Sequence, residues 1–353
     1  MYKLILIVFF SISFNVLANT VNVQEELTIT LENIRIRNDI PSMSVAIITS
    51  GELTYIKGFG FLDDEDKKST NSESLFRTAS ISKLFTAQAV MQLVEKNKIR
   101  LNDNIGLYIP RFQNSNITIK DLLTHSSGIS DLIKPINFDK QRAINSYLDS
   151  VIQSLPKKYE NKIFEYSDTN FNILGAIISS VSDLSYEEYV YKNILEPAKM
   201  NKSGYFNSVT SYFSDTKPTY KGEIIAKIDQ RPYDLSFNPS EGLISNVQDL
   251  SHWLKLTLAR DSSILKKQSY EHMLEPQVKT SWGEINMGLG WQVYESSYEK
   301  VARHPGSIRG YKSLILAFPD SKNALILLTN SSNTPRWEIA QSITKILKQS
   351  AEW

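Results

Sequence analysis

The hydrophobic patterns at the two ends of the chain constrain the fold most. Met43–Thr49 and Leu53–Phe59, near the start, are rich in β-branched and aromatic residues and flank a short turn, which is typical of a β-hairpin. Lys312–Phe318 and Ala324–Thr329, near the end, flank a polar segment rich in turn-forming residues. We therefore predict that both ends of the chain contribute strands to one antiparallel sheet.

Helical periods occupy much of the remaining sequence. Apolar residues at helical spacing predict an opening helix over residues 23–38 and a closing helix over Trp337–Leu347. Between them, Ser80–Leu93, Asp168–Val181 and Val247–Leu258 predict further helices. We therefore predict an α+β fold, in which an antiparallel sheet built from both chain ends is flanked by helices and carries an inserted, mainly helical lobe. A groove between lobe and sheet is a natural place for a site.

This layout predicts how the chain is divided. We assign residues 19–79 and 281–353 to the α/β sheet region and residues 80–280 to the helical lobe. The chain has 353 residues, which is long enough for two intimate parts with an ample core.

Residues 1–18 have the features of an export signal. Lys3 supplies a positive charge, Leu4–Phe14 is a short apolar run, and Val16-Leu17-Ala18 offers small residues for cleavage after Ala18. The alternative is an N-terminal membrane anchor, but the run is shorter than the ~20 residues that a membrane span needs. We predict a signal peptide, a periplasmic or secreted mature protein, and no stable membrane anchor after cleavage.

The composition argues against several classes of function. The formal net charge is +1, so the chain lacks the overall basic character typical of nucleic-acid-binding proteins, and we predict no nucleic-acid partner. The absence of cysteine excludes disulfides, a cysteine nucleophile and thiolate metal sites. The histidines are scattered without the spacing of metal ligands, so we predict neither a metal nor an organic cofactor. They are His125, His252, His272 and His304.

Ser80 and Lys83 form a Ser-x-x-Lys pattern with a chemical rationale. A hydroxyl becomes an effective nucleophile when a base removes its proton, and this spacing places both side chains on one helix face. The free amide groups at a helix start can also stabilise an oxyanion. Ser80 follows a loop and opens the most apolar predicted helix, so we take it as the candidate nucleophile. The same spacing recurs where a solvated helix face explains it, at Ser154/Lys157, Ser214/Lys217, Ser263/Lys266, Ser297/Lys300 and Ser342/Lys345.

Two further motifs lie downstream. Tyr166-Ser167-Asp168 opens a second apolar helix, and a tyrosine beside a lysine loses its proton more easily. A packed tyrosine followed by a capping residue is the alternative. His304-Pro305-Gly306-Ser307 precedes the predicted strand Lys312–Phe318. Gly306 would let a substrate backbone approach closely, and an edge strand there could pair with a peptide-like ligand. The alternative is an ordinary turn before a strand.

Together these motifs resemble the serine β-lactamase and penicillin-binding protein superfamily, most closely its class C β-lactamase, DD-peptidase and esterase branch. The resemblance runs over most of the mature chain and implies a single β-lactamase-like domain. It implies that His125 braces the helical lobe and takes no part in the chemistry. The segments that carry the resemblance, in matching order and spacing, are residues 76–87, 119–129, 166–171, 242–245 and 288–291.

The resemblance also implies the catalytic roles. Ser80 would be the acylated nucleophile, and Lys83 and Tyr166 would share its proton. The oxyanion hole would use the backbone N–H groups of Ser80 and Ser307. His304 would lie beside the groove and would not act as the histidine of a catalytic triad.

The second motif departs from the family pattern at one position. The family's asparagine in the Tyr-x-Asn motif is replaced by Asp168. A carboxylate near Lys83 would hold this lysine as an ammonium ion. We therefore expect Lys83 to be a poor base and Tyr166 to be the better candidate.

The third motif departs more strongly. The family's Lys-Thr-Gly is replaced by His304-Pro305-Gly306, so a cation, a hydroxyl and an N–H that would grip a substrate carboxylate are lost. Each lost charged hydrogen bond is worth ~1.5–3 kcal/mol, so we expect inefficient β-lactam hydrolysis. Arg309 is a candidate replacement anchor because its guanidinium fits a carboxylate, although a solvated loop arginine is an equal alternative.

Three functions remain open from the sequence. The first is a hydrolase that transfers an acyl group from a small ester, or from a D-amino-acid peptide or amide, including peptidoglycan-derived ones. The second is a true β-lactamase. The third is a non-catalytic protein that binds peptidoglycan fragments in the groove. The set of Ser80, Lys83 and Tyr166 favours catalysis.

Overall fold

A computed structural model describes residues 23–62, 67–131, 144–153, 155, 163–205, 214–226 and 235–353. The strands in these ranges are β1 (Ser42–Thr49), β2 (Glu52–Gly60), β3 (Phe76–Arg77), β4 (Gly204–Tyr205), β5 (Thr219–Tyr220), β6 (Glu223–Ile224), β7 (Leu243–Ser245), β8 (Val278–Lys279), β9 (Asn286–Met287), β10 (Gln292–Glu295), β11 (Lys300–Ile308), β12 (Tyr311–Phe318) and β13 (Asn323–Thr329).

The α-helices in the same ranges vary widely in length. They are α1 (residues 23–37), α2 (Ser82–Glu95), α3 (Ile119–Leu123), α4 (Ile144–Gln153), α5 (Asp168–Ser182), α6 (Tyr186–Val190), α7 (Asn238–Glu241), α8 (Val247–Ala259), α9 (Lys267–Met273) and α10 (Arg336–Gln349).

The main sheet is antiparallel and draws its strands from both ends of the chain. Its order is β2-β1-β13-β12-β11-β10-β9-β8. The register of β1 on β13 pairs Met43 with Thr329 and Ile48 with Ala324, which joins the first strand of the chain to the last. This confirms the predicted α+β architecture with an antiparallel sheet flanked by helices.

The sheet separates two hydrophobic cores because successive side chains of a strand point to opposite faces. On β1, Val45 and Ile47 face α1 and α10, which contribute Leu31 and Ile343 to that core. Ala46, on the same strand, faces the opposite core. Burying one such aliphatic side chain stabilises the fold by about 1.5–3 kcal/mol.

The second core lies between the sheet and the helices of the middle of the chain. Helix α2 is at its centre and is buried on all sides from Ser82 to Leu93, as expected for a helix with apolar residues around most of its circumference. The ring of Phe85 stacks on Trp253 of α8 with their centroids 4.6 Å apart. This contact packs α2, the helix that follows the candidate nucleophile, against α8.

The division into residues 19–79, 80–280 and 281–353 stays a prediction. Strand β8, which begins at Val278, already belongs to the main sheet.

The predicted signal peptide lies outside the described residues. In the part of the chain that the structure describes, we find no helix with the length and apolar character that a membrane span requires.

Candidate active site

Ser80 lies on a short 3-10 turn, Ala79–Ile81, immediately before α2. The sequence predicted a helix from Ser80 onward, but the α-helical hydrogen bonds begin at Ser82. Ala79 has a left-handed φ of 51°, which is unusual for a residue with a side chain and stores strain. Ala79 and Ile81 are buried while Ser80 is partly exposed, so the turn presents the Ser80 side chain outward.

Neighbouring polar groups hold this turn in place. The Ser82 hydroxyl donates to the carbonyl of Ala79 at 2.7 Å and accepts from the backbone N–H of Leu243 at 2.9 Å. The Thr78 hydroxyl donates to the carbonyl of Leu243 at 2.8 Å. Strand β7 therefore holds the turn on both sides of Ser80.

Lys83 is fully buried and donates to three oxygen atoms. Its Nζ lies 3.2 Å from Ser80 Oγ, 2.6 Å from Asp168 Oδ1 and 2.9 Å from the carbonyl oxygen of Ser240. Burial alone would lower the pKa of Lys83, but the Asp168 carboxylate and Tyr166 together raise it above its ordinary value. Lys83 is therefore an ammonium ion that lies 3.2 Å from Ser80 Oγ.

Tyr166 completes this cluster and lies two residues before the start of α5. Its hydroxyl hydrogen-bonds with the side chains of both Ser80 and Lys83, and Lys83 Nζ lies 5.1 Å from its ring centroid. Burial raises the pKa of Tyr166 above its ordinary value, and the charge of Lys83 offsets only part of this increase. In the resting state Tyr166 is therefore a neutral phenol in contact with the candidate nucleophile.

The N-terminus of α5 is capped by a residue from a distant part of the sequence. Ser167 makes no side-chain cap, but Asp131 Oδ1 accepts from the backbone N–H groups of Asp168 at 2.5 Å and of Thr169 at 3.3 Å. Burial and the nearby charge of Asp168 raise the pKa of Asp131. Asp131 cannot be identified from the sequence, because nothing local marks a cap that acts on a helix 37 residues away.

His125 supports the tyrosine. Its ring is fully buried and stacks on Tyr166 with the centroids 4.3 Å apart. Its Nδ1 accepts from the backbone N–H of Ser167 at 3.1 Å, so the neutral ring carries its proton on Nε2. Burial lowers the pKa of His125 well below its ordinary value. This position agrees with the bracing role that the resemblance implies.

The third motif lies within a strand, and its sequence interpretation needs correction. His304-Pro305-Gly306-Ser307 forms part of β11 and does not form a turn before β12. Strand β12 lies between β11 and β13, so it is not an edge strand. The pairing of β10 with β11 ends at Arg303, so the second half of β11 has no strand beside it on that side in the described ranges.

His304 is fully buried and faces Tyr166 across 6.5 Å between ring centroids. Its Nδ1 lies 3.0 Å from the carbonyl oxygen of Pro305, which can only accept, so Nδ1 carries the proton of the neutral ring. Its Nε2 has no hydrogen-bond partner among the described residues. Burial and the charge of Lys83 lower the pKa of His304 to about 3. The position therefore carries no positive charge at neutral pH.

Gly306 is needed for packing. A Cβ atom at this position would lie 2.4 Å from the carbonyl oxygen of Thr78 and 2.1 Å from Ser313 Oγ. Because glycine lacks that atom, β11 can approach the backbone beside the nucleophile turn. The structure thus assigns to this glycine a close contact with the protein's own backbone, whereas the sequence analysis expected a contact with substrate.

The remaining predicted groups lie near the outer end of β11. Ser307 is exposed and its Oγ accepts from Lys312 Nζ at 2.6 Å. Its backbone N–H as an oxyanion donor stays a prediction, as does Arg309 as a carboxylate anchor; Arg309 is exposed at the turn into β12. Arg336, which the sequence analysis did not single out, donates to the carbonyl oxygen of Gly306 at 2.5 Å. Among the described residues, no group of three or more acidic or histidine side chains could hold a metal ion.

A serine on a strained turn, a buried lysine one helical turn later and a tyrosine at the start of a second helix define the class of the serine hydrolases that includes penicillin-binding proteins. A profile of the β-lactamase family matches residues 27–345, and the chain belongs to this family.

Similar proteins agree with this assignment. Protein flp of Staphylococcus aureus strain MRSA252 is 26% identical over 318 residues; the match covers 87% of this chain and 63% of that protein, so this chain spans less than two thirds of its length. The octameric penicillin-binding protein homologue of Pyrococcus abyssi is 29% identical, with a TM-score of 0.78 over 92% of this chain and 77% of the other. D-amino acid amidase of Ochrobactrum anthropi SV3 shares the fold at 19% identity, with a TM-score of 0.79 over 93% and 99% of the two chains.

Proposed function

We propose that this chain is an exported serine hydrolase that forms an acyl-enzyme on Ser80 and acts on a small ester or on a D-amino-acid peptide or amide. The observation that carries the proposal is the contact set of Lys83. A fully buried ammonium lies 3.2 Å from a partly exposed serine hydroxyl and is held there by Asp168 at 2.6 Å. Burying a charge costs free energy that a structural helix does not require, so the arrangement favours a chemical role.

Tyr166 carries the proton in the proposed mechanism. In acylation, Ser80 Oγ bonds to the substrate carbonyl carbon and passes its proton to the Tyr166 oxygen. The phenol proton passes to the leaving group as that group's bond to the carbonyl carbon breaks. In deacylation, water attacks the ester carbonyl and gives a proton to Tyr166, which returns its own proton to Ser80. Tyr166 gains and loses one proton in each step, so Lys83 never has to accept a proton. The high pKa of Lys83 is therefore compatible with turnover.

Lys83 and the backbone supply the electrostatic part of catalysis. The ammonium stabilises the negative charge that develops on Ser80 and Tyr166 during proton transfer. The N–H groups of Ser80 and Ser307 are the proposed donors to the carbonyl oxygen of the tetrahedral intermediate. Removing one such donor from an oxyanion hole typically slows a reaction by about 10²–10³-fold.

A true β-lactamase is the weaker candidate. The position of the family lysine in the third motif is occupied by His304, which burial holds neutral. A substrate carboxylate would have to rely on Arg309 or another cation. A binding protein without catalysis is disfavoured because the contacts of Ser80, Lys83 and Tyr166 are all in place.

The proposal is tested by labelling and turnover. The mature protein and its Ser80→Ala variant are incubated with a fluorophosphonate, a fluorescent penicillin and p-nitrophenyl esters. We expect labelling and ester turnover in the parent and neither in the variant. Labelling that survives in Ser80→Ala would overturn the nucleophile assignment. Penicillin turnover at a rate comparable to ester turnover would favour the β-lactamase, and no reaction with any probe would favour the binding protein.

Export is a separate part of the proposal. It rests on the charge, apolar run and small residues of residues 1–18. Expression of the full chain in a bacterial host, followed by fractionation and N-terminal sequencing, tests it. We expect a mature protein that begins at Asn19 outside the cytoplasm, and an uncleaved chain in the membrane fraction would support the anchor instead.

A further inference from the structure

An exposed tryptophan lies beside the catalytic tyrosine. Trp282 is 40% exposed and belongs to the segment between β8 and β9. Its ring meets Phe164 edge-on with the centroids 4.7 Å apart, and its centroid lies 5.9 Å from that of Tyr166. Phe164 and Trp282 therefore form an apolar surface beside the ring of Tyr166. We call these two side chains the aromatic shelf.

The backbone holds the shelf in place. Thr280 Oγ1 accepts from the backbone N–H of Trp282 at 3.0 Å and donates to the carbonyl oxygen of Ile285 at 2.6 Å. The backbone N–H of Thr280 donates to the same carbonyl at 3.2 Å. Thr280 thus holds the backbone of this turn both at Trp282 and at Ile285. A fixed side chain loses little conformational entropy when a ligand packs on it, which favours binding.

The place of the shelf identifies which part of a substrate it contacts. In the proposed mechanism, Tyr166 gives its proton to the leaving group, so the leaving group lies on the Tyr166 side of the scissile bond. The shelf lies beside the Tyr166 ring, so we place it on the same side. Its surface is aromatic and uncharged, and apolar or aromatic groups pack on such rings better than charged ones do.

We propose that the aromatic shelf of Phe164 and Trp282 is a leaving-group subsite that selects substrates with an aromatic or bulky apolar alcohol or amine as leaving group. This inference rests on the proposed function, because it uses the role of Tyr166 as proton donor.

Matched esters test the subsite. The substrates are 4-nitrophenyl acetate, which has an aromatic leaving group, and 2,2,2-trifluoroethyl acetate, which has a small one. Taking the variant-to-parent ratio of kcat/KM for each ester cancels the intrinsic reactivity of the leaving group. For Trp282→Ala, we expect the variant-to-parent ratio of kcat/KM to be about tenfold lower for the aromatic ester than for the small ester. A tenfold effect corresponds to the free energy of one aromatic contact. Trp282→Phe should restore most of the difference.

A control and a binding measurement complete the test. Tyr298→Ala removes another exposed aromatic ring, on the turn between β10 and β11, and should leave both esters unchanged. Binding of benzyl alcohol is measured by NMR in Ser80→Ala and in Ser80→Ala/Trp282→Ala, where we expect the second protein to bind several-fold more weakly. Equal losses for both esters, or equal binding of benzyl alcohol, would overturn the subsite.

The two failures can be told apart. If Ser80 reacts with the fluorophosphonate but Trp282→Ala does not discriminate between the esters, the subsite is wrong and the proposed function stands. If no ester is hydrolysed, the proposed function fails, and the benzyl alcohol measurement alone decides whether the shelf binds aromatic groups.

Discussion

The start of α2 and the middle of β11 pack against each other, yet they differ in how their polar groups are satisfied. At the start of α2, the buried Lys83 has a carboxylate, a hydroxyl and a carbonyl as partners. On β11, the buried His304 is neutral and its Nε2 has no partner among the described residues. The first region holds a buried cation beside a serine hydroxyl, whereas residue 304 in the second region carries no charge at neutral pH.

This difference separates two tasks that one active site combines. Stabilising charge on the nucleophile requires a cation held close to the serine, and Asp168 holds Lys83 there. Gripping the carboxylate of a substrate requires a cation on the neighbouring strand, and His304 does not supply one. In the proposed function, a substrate carboxylate would therefore need another cation, such as Arg309.

Loss of the lysine should have the largest effect. Lys83→Met removes the ammonium and leaves Asp168 without its partner. We expect acylation of Ser80 by the fluorophosphonate to slow on the order of 10³-fold, because a charge contact to the reacting atoms is lost. Stability should fall by about 3–5 kcal/mol, the usual cost of breaking a buried ion pair.

Lys345→Met is the matched control for this experiment. Lys345 follows Ser342 at the same spacing but is exposed on α10. Labelling rates and stability should be unchanged in this variant. Normal labelling of Lys83→Met would contradict the charge role of Lys83.

Removal of the phenol should have the next largest effect. Tyr166→Phe keeps the ring and its contact with His125 but removes the group that carries the proton. We expect kcat for ester hydrolysis to fall about 10²-fold, at the lower end of what a general acid or base contributes. The measurement compares the pH–rate profiles of Tyr166→Phe and Lys83→Met with that of the parent. Tyr220→Phe is the control, because Tyr220 is exposed. Full activity of Tyr166→Phe would refute the proton-carrier role.

The neutral histidine makes a prediction about stability and pH. The pKa of His304 is about 3 in the folded protein and 6.5 is its ordinary value, so between these pH values only the unfolded state binds the proton. The free energy of unfolding should therefore be unaffected above about pH 6.5 and fall as the pH decreases, by about 2 kcal/mol at about pH 5.

Urea denaturation at about pH 7.5 and about pH 5 measures this loss. His304→Gln cannot bind the proton and should show a loss smaller by about 2 kcal/mol. The remaining pH dependence includes His125, whose pKa is also lowered. His272→Gln, at an exposed position, should behave like the parent. An identical loss in parent and His304→Gln would show that His304 does not remain neutral on folding.

A lysine at position 304 should give β11 the cation that it lacks at this position. His304→Lys restores the cation of the family motif. We expect labelling by fluorescent penicillin to become about tenfold faster, since a charged hydrogen bond to the substrate carboxylate is worth ~1.5–3 kcal/mol. Ester turnover should not rise in parallel. If penicillin labelling is unchanged, the missing cation is not what limits the reaction with β-lactams.

The sequence predicted the elements whose signal is local. The apolar, β-branched runs beside turn residues in β1 and β13, and the helical spacing in α5, α8 and α10, identified these elements to within a few residues. The charge pairing of Asp168 with Lys83 was also predicted, because the family pattern brings the two positions together and a carboxylate attracts an ammonium. The structure confirms this contact at 2.6 Å.

Other features depend on residues that only the fold brings together. The cap that Asp131 makes on α5 and the aromatic shelf around Trp282 join segments far apart in sequence, so no spacing rule identifies them. The role of Gly306 was misread for a related reason. Its neighbours are Thr78 and Ser313, and only the packing of β11 on the nucleophile turn shows that the protein's own backbone occupies the space.

The Asp131 cap also has a consequence for the local stability of the site. The backbone N–H groups of Asp168 and Thr169 receive their acceptor only when the segment after α3 has reached its final position. Loss of the contact between these segments would therefore release the Tyr166 end of α5 before the rest of the helix. Amide hydrogen exchange at Asp168 and Thr169 should report on that event, because local opening of the cap exposes both amides to solvent while the rest of α5 stays protected.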